Sequence, residues 1–299
     1  MTLSGFGVRR GVPALVVLVA LAGCSANDEP TVTLPTAVRG ISLTAELNEQ
    51  TGAVVLPADR FTETFLEMDL LATAGSTELS RCAAEKGVTF TPPQPLTDPV
   101  YVSEQYQGPW TREQAERFGF VKPMTQADMA ANGITGAESD ADADDKTSPN
   151  GALTDEDWTV IDACNEDAGP SQFDAALKHV GPWYAELGAV EDKVFDDPEA
   201  KNALRDLDAC YEDAGLSVSK HNSPGWPSGA DASVIDQQQI QLALTAVDCK
   251  EQTDFTARVA AVEARLQAPI IVKYADELVQ KRAEIDEALA AARALLAGA

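Results

Sequence analysis

The stretch Asp162-Ala-Cys-Asn-Glu-Asp-Ala-Gly169 returns further along the chain as Asp208-Ala-Cys-Tyr-Glu-Asp-Ala-Gly215, identical at seven of eight positions. A third segment, Cys82-Ala-Ala-Glu-Lys-Gly87, keeps the same spacing between cysteine and glycine. Glycine adopts the left-handed conformation that ends many helices without a steric penalty. The pattern therefore predicts three helices that end at a glycine and carry a cysteine on the buried side, about one and a half turns earlier.

The four cysteines Cys82, Cys164, Cys210 and Cys249 are expected to form two disulfide bonds. Three pairings are open to four cysteines. Because consecutive helices tend to be neighbours in space, we favour Cys82–Cys164 and Cys210–Cys249. Four thiolates on zinc are a poor alternative, since the chain has no Cys-x-x-Cys pair. Neither a metal nor a cofactor is therefore predicted.

Apolar residues recur at three- and four-residue steps from Asp59 onward, which is typical of amphipathic helices. The longest pattern starts at Phe255 and predicts a C-terminal helix of roughly 60 Å, which Pro269 should kink or divide. Three pairs are spaced to interact along it: Lys273–Glu277, Glu277–Lys281 and Arg282–Asp286. The sequence thus predicts a mostly α fold, an irregular disulfide-stapled helical bundle with a long C-terminal helix.

Shorter signals place further boundaries. Gly75-Ser76 should break or kink the helix that carries Cys82, and Ser233 should cap the helix that carries Cys249. Thr154 precedes three acidic residues, which suits a capped helix start. Weak alternation over residues 41–57 favours a small hairpin.

The N-terminal segment has the features of an export signal. Arg9 and Arg10 precede a short apolar run that ends in Leu21-Ala-Gly-Cys24. This ending resembles the lipobox of bacterial lipoproteins, in which the cysteine is lipidated and becomes the first residue. The resemblance implies a signal peptide over 1–23, a palmitate-containing lipid anchor on Cys24, and the extracytoplasmic face of the plasma membrane. The alternative is an ordinary secretory signal with a chance cysteine.

The segment after Cys24 is expected to form a membrane tether over 24–40 and a single α-helical extracytoplasmic domain over 41–299, with a mobile acidic loop near 133–152. All 48 acidic residues follow Cys24, whereas two of the 22 basic residues precede it, so the mature chain has a net charge of −28. Such a surface is repelled by nucleic acid and by anionic headgroups. No nucleic-acid partner is therefore expected, and the membrane contact is assigned to the lipid anchor.

Recognisable catalytic motifs are absent from the sequence, and no catalytic residue is predicted. Neither His179 nor His221 lies in a nucleophile motif, and His179 is expected on a helix in a structural role. His221 and Trp226, which share a Pro-Gly-Trp loop, are candidate partner contacts, although the Trp226 ring would alternatively fill the core. The run 140–145 resembles half of a calcium loop but lacks its glycine, so a solvated acidic loop is preferred.

Several short motifs extend a resemblance over most of the mature chain. They are Leu56-Pro57-Ala-Asp59, Arg81-Cys82, Glu85-Lys-Gly87, Arg117-Phe118-Gly119-Phe120, Leu153-Thr154-Asp-Glu-Asp-Trp158 and the Cys210/Cys249 pair. They resemble an uncharacterised family of actinobacterial secreted lipoproteins, thought to accompany ABC-type export systems and cell-wall-binding proteins. The resemblance implies a non-catalytic envelope lipoprotein that binds a protein or cell-wall partner beside an ABC-type transport system. The alternatives are an envelope hydrolase that uses carboxylates and a solute- or cation-binding lipoprotein.

Overall fold

Helices form most of the described part of the chain, and one short β-hairpin accompanies them. The computed structural model describes residues 36–96, 106–124, 129, 133–136, 149–167, 172–218 and 224–298. The hairpin pairs β1 (Glu46–Asn48) with β2 (Ala53–Val55) in antiparallel register, as predicted for this region. The helices are α1 (Phe65–Glu85), α2 (Arg112–Phe118), α3 (Asp155–Asp167), α4 (Gln172–Leu177), α5 (Pro182–Val194), α6 (Pro198–Asp213), α7 (Gln237–Gln252), α8 (Phe255–Lys273) and α9 (Ala275–Ala297). The predicted mostly α fold is confirmed.

Apolar faces bring these helices together in two groups. Helix α1 packs against α3, α4 and α9, and helix α8 packs against α5 and α6, while α2 packs against α7. Leu207, Tyr211 and Phe255 lie fully buried in the largest core cluster, and Leu71 and Ile285 lie in a second cluster between α1 and α9. Burial of each such side chain contributes roughly 1.5–3 kcal/mol, so the two clusters are the main source of stability.

Two disulfide bonds join the cysteine-bearing helices in the order in which they occur along the chain. Cys82 of α1 bonds to Cys164 of α3, and Cys210 of α6 bonds to Cys249 of α7. These are the two pairs favoured from the sequence, so the disulfide-stapled character of the fold is confirmed.

Glycines end two of the cysteine-bearing helices in the predicted way. After α1, Gly87 has a φ of +88° and the Val88 N–H donates to the Ala83 carbonyl at 2.9 Å. After α6, Gly215 has a φ of +77°, and the Leu216 N–H donates to the Tyr211 carbonyl at 2.7 Å in the equivalent bond. The third glycine, Gly169, lies outside the described residues. The repeated motif is thus a helix-ending device at both described sites.

Substitution of Gly215 by alanine should destabilise the protein by about 1–2 kcal/mol, because a β-carbon is disfavoured in the left-handed conformation. A β-carbon there would meet no neighbour within 4 Å, so the cost comes from the backbone alone. Gly188 in α5 is the matched control, since it is also free of neighbours but has no positive φ. Gly188→Ala should stabilise the chain by about 0.5–1 kcal/mol. Urea unfolding of both variants measures the difference; equal effects would contradict the assignment.

Two predicted boundaries are wrong. Helix α1 continues through Gly75-Ser76, because Ala74 and Thr77 on either side are buried against neighbouring helices and hold the turn in place. Helix α7 starts after Asp236, whose carboxylate accepts from the Gln239 N–H at 2.8 Å. Ser233 instead donates its hydroxyl to Asp231 within the preceding turn.

The long C-terminal helix is divided at Tyr274, five residues after the predicted position. Pro269 lies inside α8, whereas the Tyr274 hydroxyl and the Lys273 ammonium both donate to Glu186 of α5 at 2.7 Å. Lys273, at the end of α8, therefore pairs with Glu186 and not with the predicted Glu277 of α9. No helix in the described part of the chain is long and apolar enough to cross a membrane.

The outer face of α9 keeps one of the three predicted ion pairs. Arg282 and Asp286 pair as expected. Lys281 is instead buried and donates to the Ala176 and Lys178 carbonyls at the end of α4. Burial against α4 thus outweighs the surface pairing that the spacing predicts, because the buried Ala176 carbonyl would otherwise lose this donor.

Candidate functional site

A cavity of about 470 Å³ lies where the starts of α2 and α8 meet the end of α7 and the β-hairpin. Its lining residues include Trp110 and Arg112 from the start of α2, Lys250 from α7, and Thr256 and Ala257 from the start of α8. Small-ligand sites in proteins have volumes of roughly 300–1,000 Å³. The cavity is therefore large enough for a small molecule or for a short segment of a larger partner.

A close contact between the hairpin and α2 forms one wall of this cavity. The Trp110 indole N–H donates to the Gly52 carbonyl at 2.7 Å. Gly52 has a φ of +73°, and a β-carbon at that position would lie 1.9 Å from the Gln114 amide nitrogen. Only glycine fits there, so the hairpin turn is specified by its approach to α2.

Lys250 connects the opposite wall to the chain before α2. Its side chain is 2% exposed, and its ammonium donates to the carbonyls of Gln107 and, at 3.0 Å, of Pro109. Burial lowers the pKa of Lys250 to about 7, while the two carbonyl acceptors favour the charged form. Lys250 therefore fastens the segment around Gly108 onto α7, next to the Cys210–Cys249 disulfide.

Backbone strain is concentrated beside the cavity. Among the described residues, two that are not glycine have positive φ: Gln107 at +55° and Asp254 at +51°. Asp254 lines the cavity, and Gln107 is held by Lys250. Strained backbone is found preferentially at binding and active sites, so both outliers point to this region.

Unpartnered polar atoms are concentrated there as well. Within the described residues, four buried side-chain polar atoms have no hydrogen-bond partner in the protein. Three of them are Gln107 Oε1, Gln114 Nε2 and Thr256 Oγ1. Thr256 lines the cavity, whereas Gln107 and Gln114 only contact the lining residues Lys250 and Trp110. Because each of these atoms has less than 1 Å² of accessible surface, they are packed behind the cavity wall and do not face its opening.

Trp226 packs against the core. Its half-buried ring packs on Phe120, with centroids 5.3 Å apart, in the main core cluster. One side of the ring therefore contacts the core, while the role of Trp226 as a partner contact stays a prediction. Gly108 lies close to both the Trp226 ring and Lys250, since a β-carbon on Gly108 would be 2.9 Å from the indole nitrogen and 3.3 Å from Lys250 Nζ. The ring is therefore near the cavity wall that contains Lys250.

Three other predicted sites lie outside the described residues. They are the lipidation site Cys24, the candidate contact His221 and the acidic run 140–145 within the predicted loop. Among the described residues, no group of three His, Cys, Asp or Glu side chains is placed to hold a metal ion.

His179 lies between α4 and α5, and its predicted helical position is therefore wrong. Its Nε2 is 3.0 Å from both carboxylate oxygens of Glu63, and its ring contacts Trp183 and Tyr184. Burial tends to raise the pKa of Glu63, but the hydrogen bond with His179, a backbone hydrogen bond and nearby positive charge together outweigh it, and the pKa is lowered. The contacts of His179 tie the α4–α5 connection to the chain before α1.

Glu263 of α8 is a partly buried carboxylate that accepts a 2.7 Å hydrogen bond from the Tyr106 hydroxyl. Burial raises the pKa of Glu263, and the nearby carboxylates of Asp59 and Glu191 raise it further. The folded state therefore favours protonated Glu263 more than the unfolded chain does. Its contribution to stability is fully present below the ordinary pKa of 4.5 and is lost as the pH rises through the raised value.

Glu263→Gln should therefore raise the free energy of unfolding at pH 7, while the gain should shrink towards pH 4. The amide can still accept the Tyr106 hydroxyl but carries no charge. Glu287→Gln, at an exposed position on α9, is the control and should show a smaller pH-dependent change. Urea unfolding at pH 4 and pH 7 provides the measurement. A Glu263→Gln gain that grows towards pH 4 would contradict the direction of the pKa shift.

Comparison of the chain with protein families, with curated proteins and with solved structures found no match. The geometry of the cavity and the sequence signals are therefore the basis for a functional proposal.

Proposed function

We propose that this protein is a non-catalytic lipoprotein of the bacterial envelope that binds a protein or cell-wall partner through the cavity. The carrying observation is the left-handed backbone of Asp254 in the wall of a cavity of about 470 Å³. Stability alone gives no reason to place such strain at an opening. A binding site does, because a ligand benefits from a preorganised wall.

The proposed anchor is a lipid on Cys24, at the extracytoplasmic face of the plasma membrane. The lipobox Leu21-Ala-Gly-Cys24 supports it, and so do the two disulfide bonds, because disulfides persist in oxidising compartments. The resemblance to actinobacterial lipoproteins further supports a role of the protein beside an ABC-type transport system. The anchor would hold the cavity near the membrane, where an envelope protein or wall component is available.

Metabolic labelling in an actinobacterial host tests the anchor. Cells are fed a palmitate analogue that carries an alkyne, and the protein is recovered from the membrane and soluble fractions. The wild type should be labelled and membrane-bound, whereas Cys24→Ser should be unlabelled and released. A labelled Cys24→Ser protein would contradict the assignment of the anchor.

A cavity-filling variant tests the binding role. Ala257 is exposed and lines the cavity, so Ala257→Trp should occupy part of its volume. Ala283→Trp, on the exposed face of α9, is the matched control. Affinity capture from envelope extracts should recover the same partner with the wild type and Ala283→Trp, and lose it with Ala257→Trp. Recovery of that partner with all three proteins would place binding elsewhere.

A second candidate is an envelope hydrolase that uses carboxylates. One observation favours it: Glu263 has a raised pKa beside the carboxylates of Asp59 and Glu191, as a general acid requires. Incubation with purified peptidoglycan is the test. Release of soluble fragments by the wild type and not by Glu263→Gln would establish this candidate in place of the first.

A further inference from the structure

Among the described residues, the two most exposed large apolar side chains lie together where α4 passes into α5. Val180 in the connection is 77% exposed, and Tyr184 in the first turn of α5 is 54% exposed. Pro182 and Ala185 are exposed as well, and these four residues are called the apolar corner below. Grouped exposed apolar side chains of this kind mark interaction surfaces.

The apolar corner is held in place from inside the protein. Lys281 of α9 donates to the Lys178 carbonyl at 2.8 Å, which fixes the backbone before the corner. The His179 ring contacts the Tyr184 ring, with centroids 5.3 Å apart. Trp183 is buried beneath, with its ring centroid 5.8 Å from that of Tyr184. The exposed side chains are therefore preorganised, which lowers the entropic cost of binding.

The first element of the described chain shares a core cluster with the residue beneath this corner. Thr36–Val38 forms a short 3-10 helix that packs against α9, and Val38 is buried in the same cluster as Trp183. Eleven residues separate Thr36 from Cys24, the proposed lipid anchor. Even when fully extended, a connection of that length spans only about 40 Å. The anchor therefore keeps this side of the domain close to the bilayer.

The sequence on this side lacks the acidic character of the rest of the chain. Residues 175–185 contain no Asp or Glu, and residues 30–45 contain none either. Each stretch contributes an exposed basic residue, Lys178 and Arg39 respectively. Headgroup phosphates attract such cations, whereas a chain with a net charge of −28 is otherwise repelled by them. The distribution of charge therefore favours an approach to phospholipid through this side.

We propose that the apolar corner docks the domain onto the phospholipid bilayer, with Val180 and Tyr184 inserted among the headgroups. Tyrosine suits this position because its ring is apolar and its hydroxyl stays hydrated. Two side chains give only weak binding by themselves, but the lipid anchor holds them at a high effective concentration beside the bilayer. The inference thus rests on the proposed function, because it uses the anchor at Cys24.

Docking at the apolar corner leaves the cavity free for its partner. Trp183 shares its core cluster with Ile271, near the end of α8, whereas Ala257 at the start of α8 lines the cavity. Ala257 and Ile271 lie fourteen positions apart on this helix, which corresponds to about 21 Å. The bilayer and the envelope partner therefore do not compete for the same surface.

Photo-crosslinking tests the docking. The mature protein, recovered with its lipid from an actinobacterial host, is reconstituted in vesicles of phosphatidylcholine and phosphatidylglycerol. The photoreactive p-benzoylphenylalanine replaces Tyr184, which keeps an aromatic ring there, and irradiation should produce lipid adducts that mass spectrometry detects. The matched probe replaces the exposed Ala257 and should give no lipid adduct above the dark control. Equal yields at the two positions would overturn the proposal, because a domain that only swings on its tether contacts lipid with every face.

Val180→Asp places a charge in the inserted surface. Combined with the probe at Tyr184, it should lower the adduct yield about tenfold, because a carboxylate is costly to remove from water. Trp158→Asp is the matched control, since it adds the same charge at another exposed apolar residue, on α3, and it should leave the yield unchanged. Urea unfolding verifies that both variants fold. Equal reductions by the two variants would overturn the assignment of the surface.

The anchor and the docking surface fail in different ways. The mass of the peptide that contains Cys24 reports lipidation separately from the adduct. A lipidated, vesicle-bound chain without a lipid adduct at Tyr184 would overturn the docking and leave the anchor intact. Adducts at Tyr184 in a chain without lipid on Cys24 would support the docking and contradict the anchor. In cells, crosslinks from Tyr184 to a protein in place of lipid would assign the corner to a protein partner and overturn the proposal.

Discussion

Replacement of both Cys210 and Cys249 by alanine is expected to lower the free energy of unfolding by about 4 kcal/mol. The disulfide closes a segment with a sequence separation of 39, and its removal restores the corresponding chain entropy to the unfolded state. Alanine is preferred to serine because Cys249 is 3% exposed, and a buried hydroxyl would add a separate cost. Urea unfolding of the variant and the oxidised wild type measures the loss.

The other disulfide is the matched control for this experiment. Alanine at both Cys82 and Cys164 removes a disulfide with a sequence separation of 82 and should cost a similar or slightly larger amount. It joins α1 to α3, whereas the Cys210–Cys249 bond lies next to Lys250 in the cavity wall. Both variants should lose stability, but only the Cys210/Cys249 variant should also weaken binding at the cavity. Equal loss of binding in both would contradict the link between this disulfide and the site.

Lys250→Met is expected to cost about 3 kcal/mol at pH 7, because the Gln107 and Pro109 carbonyls lose a buried donor. Methionine keeps the apolar stem of the side chain. Lys281→Met is the matched control, since Lys281 also donates to two carbonyls at a buried position. It should cost a comparable amount without affecting binding at the cavity.

The stability difference between the wild type and Lys250→Met should also depend on pH. Burial lowers the pKa of Lys250 from 10.5 to about 7, so between these values the unfolded chain binds more protons at this group than the folded chain. Its contribution to stability therefore rises with pH across this window and is constant below it. Denaturant unfolding at pH 7, 8.5 and 10 should show a growing difference between the two proteins. A difference that shrinks towards pH 10 would contradict the lowered pKa.

Local and sequential features of the fold could be predicted from the sequence. The Cys82–Cys164 and Cys210–Cys249 bonds follow from helix order, and Gly87 and Gly215 act through their own backbone conformation. The spacing of polar residues was less informative where another helix intervened. Lys281 has the spacing of a surface ion pair, yet its ammonium donates to two carbonyls that lie more than one hundred residues earlier in the chain.

The cavity could not be predicted, because its walls come from segments that are far apart in sequence. Lys250 follows Cys249 as an ordinary helical lysine, and its burial depends on two carbonyls more than 140 residues away. Thr256 likewise looks like a first-turn residue of α8. The one local hint was the lack of a glycine after Cys249, which differs from the other cysteine-bearing helices. After Cys249, the connection between α7 and α8 contains Asp254 in the left-handed conformation. The start of α8 then lies in the cavity wall.

The central claim, that this cavity is the binding site, is tested most directly by amide chemical shifts. Transverse-relaxation-optimised ¹H–¹⁵N spectra of the mature protein are recorded with and without the envelope partner that the wild type captures. The largest shift changes are expected at Phe255, Thr256 and Ala257, and they should disappear in Ala257→Trp. Changes confined to amides away from α2, α7 and the start of α8, or equal changes in the Ala257→Trp protein, would contradict the claim.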